Sequence, residues 1–220
     1  MADQSIGFIG LGDMGFPMAR RLLQHGYQVF SCANRSRDAI ETLKTEGLIE
    51  KSAPREVAEQ ADILITLVID DQQTDIVLRG VSGALAGMKP GSALVIMSTL
   101  APTYCINIAK QAAERDVAVL DCPVSGGNIG AEKGTLALII GGDIGVVERC
   151  RAALETMGTI YHCGDVGMGQ VAKLANNAIS MTTAAVVGEA CAMARSYGMD
   201  IGSNCSAPCQ IVCSMGLPLR

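Results

Sequence analysis

The sequence predicts an α/β protein built on a doubly wound parallel sheet, and three observations carry that prediction. Short β-rich runs alternate with helix-patterned segments through the first two thirds of the chain, a glycine-rich turn stands directly after the first run, and one long helical stretch follows the last. Strand followed by helix, repeated, calls for right-handed crossovers and hence parallel pairing.

The elements fall in order. Residues 6–9 read as the first strand, and Gly10-x-Gly12-x-x-Gly15 turns the chain into a helix in which Pro17 suits the first turn. Further strands are expected at 28–32, 63–67, 93–97 and 117–121, with helix starts marked by Ser36, by Ser52-Ala-Pro54 and by Ala101-Pro102, where a hydroxyl or a proline fits a first turn. Residues 136–140, the turn Gly141-Gly-Asp143, a helical pattern to Met157 and a short strand at 159–162 are expected to extend the sheet. A boundary is expected in 163–169, dividing the chain into a nucleotide-binding domain, 1–165, and a helical segment, 166–220. From 170 to 197 the pattern is helical, with apolar residues all round, so both sides of that helix are expected to be covered. Residues 198–220 have no readable plan of helix and cap.

Composition narrows the function classes. With 49% apolar residues and 25 glycines, 220 residues suffice to bury a sizeable core with many close backbone approaches. A net charge of −5 and 3% aromatic residues leave neither a basic stripe nor a stacking platform, which argues against nucleic acid. The apolar stretch 178–194 is interrupted by Ser180, Thr182, Thr183, Glu189 and Cys191, so it reads as a buried helix and not a membrane span. The start Met1-Ala-Asp-Gln lacks the basic and apolar regions of a secretory signal, and nine cysteines without a Cys-x-x-Cys pair fit reduced thiols; together these read as cytoplasmic. His25 and His162 stand far apart without a ligand cluster, and Pro208 spoils the helical spacing of Cys205, Cys209 and Cys213, so no metal is expected. Asp70, Asp71 and Asp75 read as a solvated helix start.

The glycine loop is the first candidate site. Between a strand and a helix, Gly10, Leu11, Gly12, Asp13, Met14 and Gly15 form a Rossmann-type turn: the first glycine permits the bend, the second lets backbone reach a pyrophosphate, and the third lets helix pack on strand. About 20 residues on, where an acid would hold the ribose hydroxyls of NAD, the strand ends in Asn34-Arg35-Ser36. Arg35 pairs with a 2′-phosphate, Asn34 and Ser36 donate hydrogen bonds, and no carboxylate repels, so NADP is expected over NAD. A solvated surface arginine is the competing reading, and it leaves the preference open.

Two further segments carry chemistry. Ser125, Gly126 and Gly127 follow Pro123 at a strand end, where small residues let backbone N–H groups turn toward an anion; a plain glycine turn is the alternative. Lys173 sits early in an apolar helix, with Asn177 one turn later on the same face. Partial desolvation there lowers a lysine's pKa toward working pH and suits it to proton exchange, although a lone lysine near a helix start is more often a solvated charge.

Four motifs in order, Gly7-Phe-Ile-Gly-Leu-Gly-Asp-Met-Gly-Phe-Pro-Met-Ala19, Ser98-Thr-Leu-Ala-Pro102, Asp121-Cys-Pro-Val-Ser-Gly-Gly127 and Lys173-Leu-Ala-Asn-Asn177, resemble the β-hydroxyacid dehydrogenase family. That family includes 3-hydroxyisobutyrate dehydrogenase, tartronate semialdehyde reductase and glyoxylate/succinic semialdehyde reductase, within the wider group holding 6-phosphogluconate dehydrogenase. The likeness runs from about Ile6 to Asp200. It implies a Rossmann-type domain followed by a long helix that begins an all-α domain, of which this chain holds an incomplete part. It assigns Lys173 to general acid–base catalysis, Asn177 to holding the reacting oxygen or the ammonium, and Ser125, Gly126 and Gly127 to a small carboxylate-bearing substrate. It adds cofactor contacts at Leu67, Val68, Gln72 and Thr99, although Leu67 and Val68 serve the core equally well. Dimerisation through the helical segment is also implied. Two function classes follow: an NADP-dependent dehydrogenase or semialdehyde reductase, and a dinucleotide-binding module impaired in catalysis because most of the family's second domain is missing. A methyltransferase is a distant third, since it leaves Lys173 and Ser125-Gly-Gly without a purpose.

Overall fold

A computed structural model describes residues 4–34 and 37–199. They form two compact units, the described residues up to Lys173 and those from Leu174 on. In the first, β1 (Ser5–Ile9), β2 (Gln28–Cys32), β3 (Ile49–Lys51), β4 (Ile63–Thr66), β5 (Ala93–Ile96) and β6 (Ala118–Asp121) make one sheet in the order β3-β2-β1-β4-β5-β6. Every pairing in it is parallel. This is the dinucleotide-fold order, and the strand sequence reverses direction between β1 and β4, where such sheets open a crevice at their carboxyl ends.

Side-chain alternation explains why both faces need helices. Along β4 and β5, Ile63, Ile65, Ala93 and Val95 enter one apolar cluster while Leu64, Leu94 and Ile96 enter the other. A strand buried on both faces reads as a continuous apolar run, as 63–65 and 93–96 do. Helix α1 (Gly15–Gln24) lays Met18, Ala19 and Leu22, a spacing of three and four, against the first cluster. The second cluster takes Val57 and Ala58 of α3 (Pro54–Ala58), Leu78 of α4 (Asp71–Arg79) and Cys105, Ile108 and Ala112 of α5 (Pro102–Ala113). Pro54 and Pro102 open their helices as expected. The helix α2 (Asp38–Lys44) starts after Arg37; Ser36, expected to mark that start, lies outside the described residues.

Two details of the sheets differ from expectation. The strand β3 was not foreseen, because Ile-Glu-Lys is short, two-thirds charged and at the sheet edge. Residues 136–162 do not extend the main sheet: β7 (Val124–Ser125), β8 (Leu136–Ile140) and β9 (Gly158–His162) form a separate three-stranded sheet, with β7 antiparallel to β8. The physical reason is local. The antiparallel register opened by the Asp121–Gly141 bridge is interrupted at Pro123, which has no N–H to donate and only accepts from the Ile139 N–H, and it resumes at Val124 and Leu138 as the separate pair β7 and β8. Helices α6 (Gly127–Lys133) and α7 (Ile144–Leu154) cover this sheet, whose Leu136, Leu138 and Ile140 join the first cluster.

The helix α8 (Met168–Ser196) opens in the first unit. In the second unit Ile179, Met181, Val186 and Met193 are exposed, against the expectation of a helix covered on both sides. Apolar composition alone predicted that cover. The unpatterned stretch expected at 198–220 lies, from residue 200 on, outside the described residues. Among the described residues no helix is long and apolar enough to cross a membrane.

Candidate active site

A cleft of about 1020 Å³ lies at the carboxyl end of the main sheet, where β1 and β4 meet the glycine turn. Gly10, Leu11, Gly12 and Asp13 line it from β1, Asn34 from the end of β2, and Leu67 and Val68 from the end of β4. The two outer glycines are fixed by the protein itself. Gly10 has φ +107°, and a Cβ there would overlap the Leu67 carbonyl oxygen; a Cβ on Gly15 would overlap the Gly10 carbonyl oxygen. Gly12 differs, because a Cβ there meets nothing within 4 Å. Protein packing therefore does not account for a glycine at 12, whereas close approach of a ligand to the backbone does. Volume, position and this open second glycine fit a dinucleotide.

The structure brings seven of the expected cofactor residues into that lining and leaves others out. Gly15 is buried at the start of α1, and Met14 precedes it as a half-buried cap. Gln72 is exposed on α4 while its neighbour Gln73 lines the cleft, its backbone N–H donating to Asp70 Oδ1 at 2.8 Å. Thr99 is exposed and Ser98 buried. Arg35 and Ser36 lie outside the described residues. Arg37, next along the chain, is held by Glu41 and Glu50. Sequence reasoning missed Arg20 and Gln24 of α1, Ile76 of α4, and Asn128 and Glu132 of α6, all of which line the cleft. Only the third dimension joins them, since α1 and α6 stand over 100 residues apart.

Asp70 caps α4 as expected of a helix start, and Asp71 lies in its first turn. Asp75 does not stay free in solvent: it pairs with Arg79 and accepts a hydrogen bond from the Tyr104 hydroxyl at 2.6 Å. That hydrogen bond and the cation hold its carboxyl below the usual range. His162 Nε2 sits 2.8 Å from the Gly142 carbonyl oxygen, and among the described residues no three His, Cys, Asp or Glu side chains are grouped to hold a metal ion.

Ser125 closes β7, half-buried, and Gly126 and Gly127 open α6 at φ +135° and +63°, both exposed. Positive φ at two successive residues is a backbone that only glycine adopts at low cost, so the Gly-Gly pair is dictated by the bend. Lys173 is buried, 8% exposed, in the second turn of α8. Burial lowers its pKa from the ordinary lysine value. Asn177 is half-buried and Asn176 exposed on the same helix.

What holds the start of α8 was not legible as a site. Asp121, fully buried at the end of β6, accepts N–H bonds from Gly167 (2.6 Å) and Gln170 (2.7 Å). The Gln170 side chain, also fully buried, donates to the Ser98 carbonyl oxygen at 2.8 Å and accepts from the Leu100 N–H at 2.9 Å. Burial raises the Asp121 pKa, and the N–H donors of Gly167 and Gln170 oppose that rise.

Comparison with known proteins agrees with the fold. Residues 5–169 match the family described as the NAD binding domain of 6-phosphogluconate dehydrogenase. The chain is 37% identical over 200 residues to a probable mitochondrial 3-hydroxyisobutyrate dehydrogenase of Dictyostelium discoideum, covering 90% of this chain and 62% of that one. It is 37% identical over 198 residues to an NAD-dependent L-serine dehydrogenase of Pseudomonas aeruginosa, covering 90% and 66%. Among solved structures, a Mycobacterium tuberculosis 3-hydroxyisobutyrate dehydrogenase with L-serine aligns at a TM-score of 0.81 and 32% identity, over 90% of this chain and 67% of that one. The chain thus spans roughly two thirds of the length of these relatives.

Proposed function

Because this chain belongs to the β-hydroxyacid dehydrogenase family, we propose that it transfers a hydride between NADP(H) and a small β-hydroxy acid or its semialdehyde, with Lys173 as general acid and base. The observation that carries the reading is a lysine buried at the start of α8, in a chain whose sheet end holds a dinucleotide-sized cleft. A bound nicotinamide supplies the hydride. The chain's own residues bind, orient and move a proton. Gly10 to Asp13 offer backbone to the pyrophosphate, with Asn34, Leu67 and Val68 around the rest. Ser125, Gly126 and Gly127 hold the substrate carboxylate, while Lys173 exchanges a proton with the substrate oxygen and Asn177 holds that oxygen. The lowered pKa supports this role, since a lysine nearer neutrality gives and takes a proton more readily.

The finer choices rest on the sequence. Arg35, with no acid beside it, favours NADP. The division into a nucleotide-binding domain, 1–165, and a helical segment, 166–220, and the cytoplasmic setting rest on the sequence, while exposed Ile179, Met181, Val186 and Met193 support a homodimer through the helical segment. An L-serine dehydrogenase among the relatives adds L-serine to the candidate substrates, as a β-hydroxy acid.

The test follows both fluorescence and oxidation of NADPH with glyoxylate, succinic semialdehyde or tartronate semialdehyde, and the reverse reaction with NADP and L-serine or 3-hydroxyisobutyrate. Turnover with at least one pair supports the dehydrogenase. Binding without oxidation or reduction would leave the chain a dinucleotide-binding module.

A further inference from the structure

Buried polar side chains are costly unless paired, and three of them here are paired with one another's segments. The Val68 N–H, on the lining of the cleft, donates to Ser98 Oγ at 2.9 Å. The Ser98 carbonyl oxygen accepts from Gln170 Nε2, the Leu100 N–H donates to Gln170 Oε1, and the Gln170 backbone N–H donates to Asp121. One unbroken series of hydrogen bonds therefore runs from the wall of the cleft to the first turn of α8. Lys173 stands three residues beyond Gln170, on the same helix face, and both are buried.

The approach is tight as well as polar. A Cβ on Gly141 would overlap Asp121 Oδ1, and one on Gly169 would stand 2.5 Å from the Ile139 carbonyl oxygen and 2.8 Å from that of Asp121. Two glycines let the helix start press onto the ends of β6 and β8, and the carboxylate fills the space between. Gly167 and Gln170 present free helix-start N–H groups there, which a carboxylate satisfies best. Replacement of Gln170 by an apolar residue of its length keeps the packing but leaves the Ser98 carbonyl and the Leu100 N–H unpaired.

We propose that Gln170 and Asp121 are positioning residues that tie the Lys173-bearing turn of α8 to the Val68 wall of the cofactor cleft, so that filling the cleft steadies the lysine. The proposal rests on the reading that the cleft takes a dinucleotide and that Lys173 moves the proton. Ser98 is the junction: its hydroxyl serves the cleft and its carbonyl serves the helix. Ligand contact with Val68 would restrict Ser98, and Ser98 would restrict Gln170, through bonds that are already made.

The test is hydrogen exchange on the full chain, with and without saturating NADPH, in wild type, Gln170→Met and Ser98→Ala. In wild type NADPH is expected to slow exchange in segments 66–69, 98–100 and 167–173, the last by about threefold or more. Gln170→Met is expected to bind NADPH with a Kd within about threefold of wild type, to keep the response at 66–69, and to lose it at 167–173. Ser98→Ala removes only the Val68 link and is expected to lose the same distant response, which keeps the test alive where Gln170→Met does not fold. An equal response at 167–173 in a folded variant, or none there in wild type despite bound NADPH, overturns the proposal. A wild type that binds no NADPH overturns the cofactor reading and this proposal together. An active Lys173→Ala removes the proton-transfer reading while the coupling itself stays measurable.

Discussion

The cleft at β4 and the buried frame under α8 are built by opposite means. The cleft is open and its floor is a glycine turn: Gly10 and Gly12 line it, and a Cβ on Gly12 would meet no other protein atom within 4 Å. The frame is closed and made of side chains: Asp121 and Gln170 are both fully buried, with each hydrogen bond directed at a particular backbone atom. Binding of a large cofactor needs the first kind of construction, since backbone N–H groups and a helix start recognise phosphate without bulk. Holding one ammonium in place needs the second, since proton transfer depends on position within fractions of an ångström.

The contrast is sharpened first at Lys173. Lys173→Ala is expected to lower turnover by about 10²–10⁴-fold, the usual worth of a positioned acid or base, with NADPH affinity unchanged in fluorescence titration. Substantial turnover in this variant would remove the proton role from the frame. Next in size, Gly10→Ala meets both φ +107° and the Leu67 carbonyl oxygen, so it is expected to cost about 3 kcal/mol in a denaturant melt. Gly12→Val is expected to leave that melt unchanged and to weaken NADPH about tenfold or more, roughly 1.4 kcal/mol. If Gly12→Val instead unfolds the chain, the second glycine is structural and the cleft loses its clearest mark of a ligand. Arg35→Asp is expected to reverse the ratio of Michaelis constants for NADP and NAD; an unchanged ratio removes Arg35 from the choice of cofactor.

The same contrast decides what the sequence disclosed. A glycine turn between strand and helix is local, so the cleft was legible in 10–15; the strand at 136–140 was placed to the residue because its apolar run is continuous, and that at 28–32 because Val29, Phe30 and Cys32 form a short β-favouring run after the turn that ends the first helix. The frame is not local: Asp121 reaches Gln170 across 49 positions and Gln170 reaches Ser98 across 72. Asp121 stood in a quoted motif and read as no more than a strand end, because nothing within its own segment calls for a carboxylate. Gln72 and Gln73 show the smaller limit. One position along a helix turns a side chain by about 100°, and the structure puts Gln73, not Gln72, in the lining. The strand β3 escaped because Glu50 answers to Arg37 and Lys44 at the sheet edge, and not to the core.

The least expected effect concerns stability and not turnover, and it measures what burying the lysine costs. Burial lowers the Lys173 pKa in the folded chain, so between that lowered value and the ordinary lysine value of 10.5 the unfolded chain binds more protons than the folded one. Stability contributed by this group therefore rises with pH through that window, is fully present above 10.5, and is lost as pH falls through the folded value. Below that window the burial of this group opposes folding. Lys173→Met, similar in length and without charge, is expected to be more stable than wild type at pH 7, with the gain shrinking as pH approaches 10.5. Denaturant melts of both proteins at several pH values between 7 and 10.5 read this directly. Parallel stability curves across that range would mean that the ammonium is solvated in the folded chain, and the physical basis for a lysine tuned toward proton transfer would be gone.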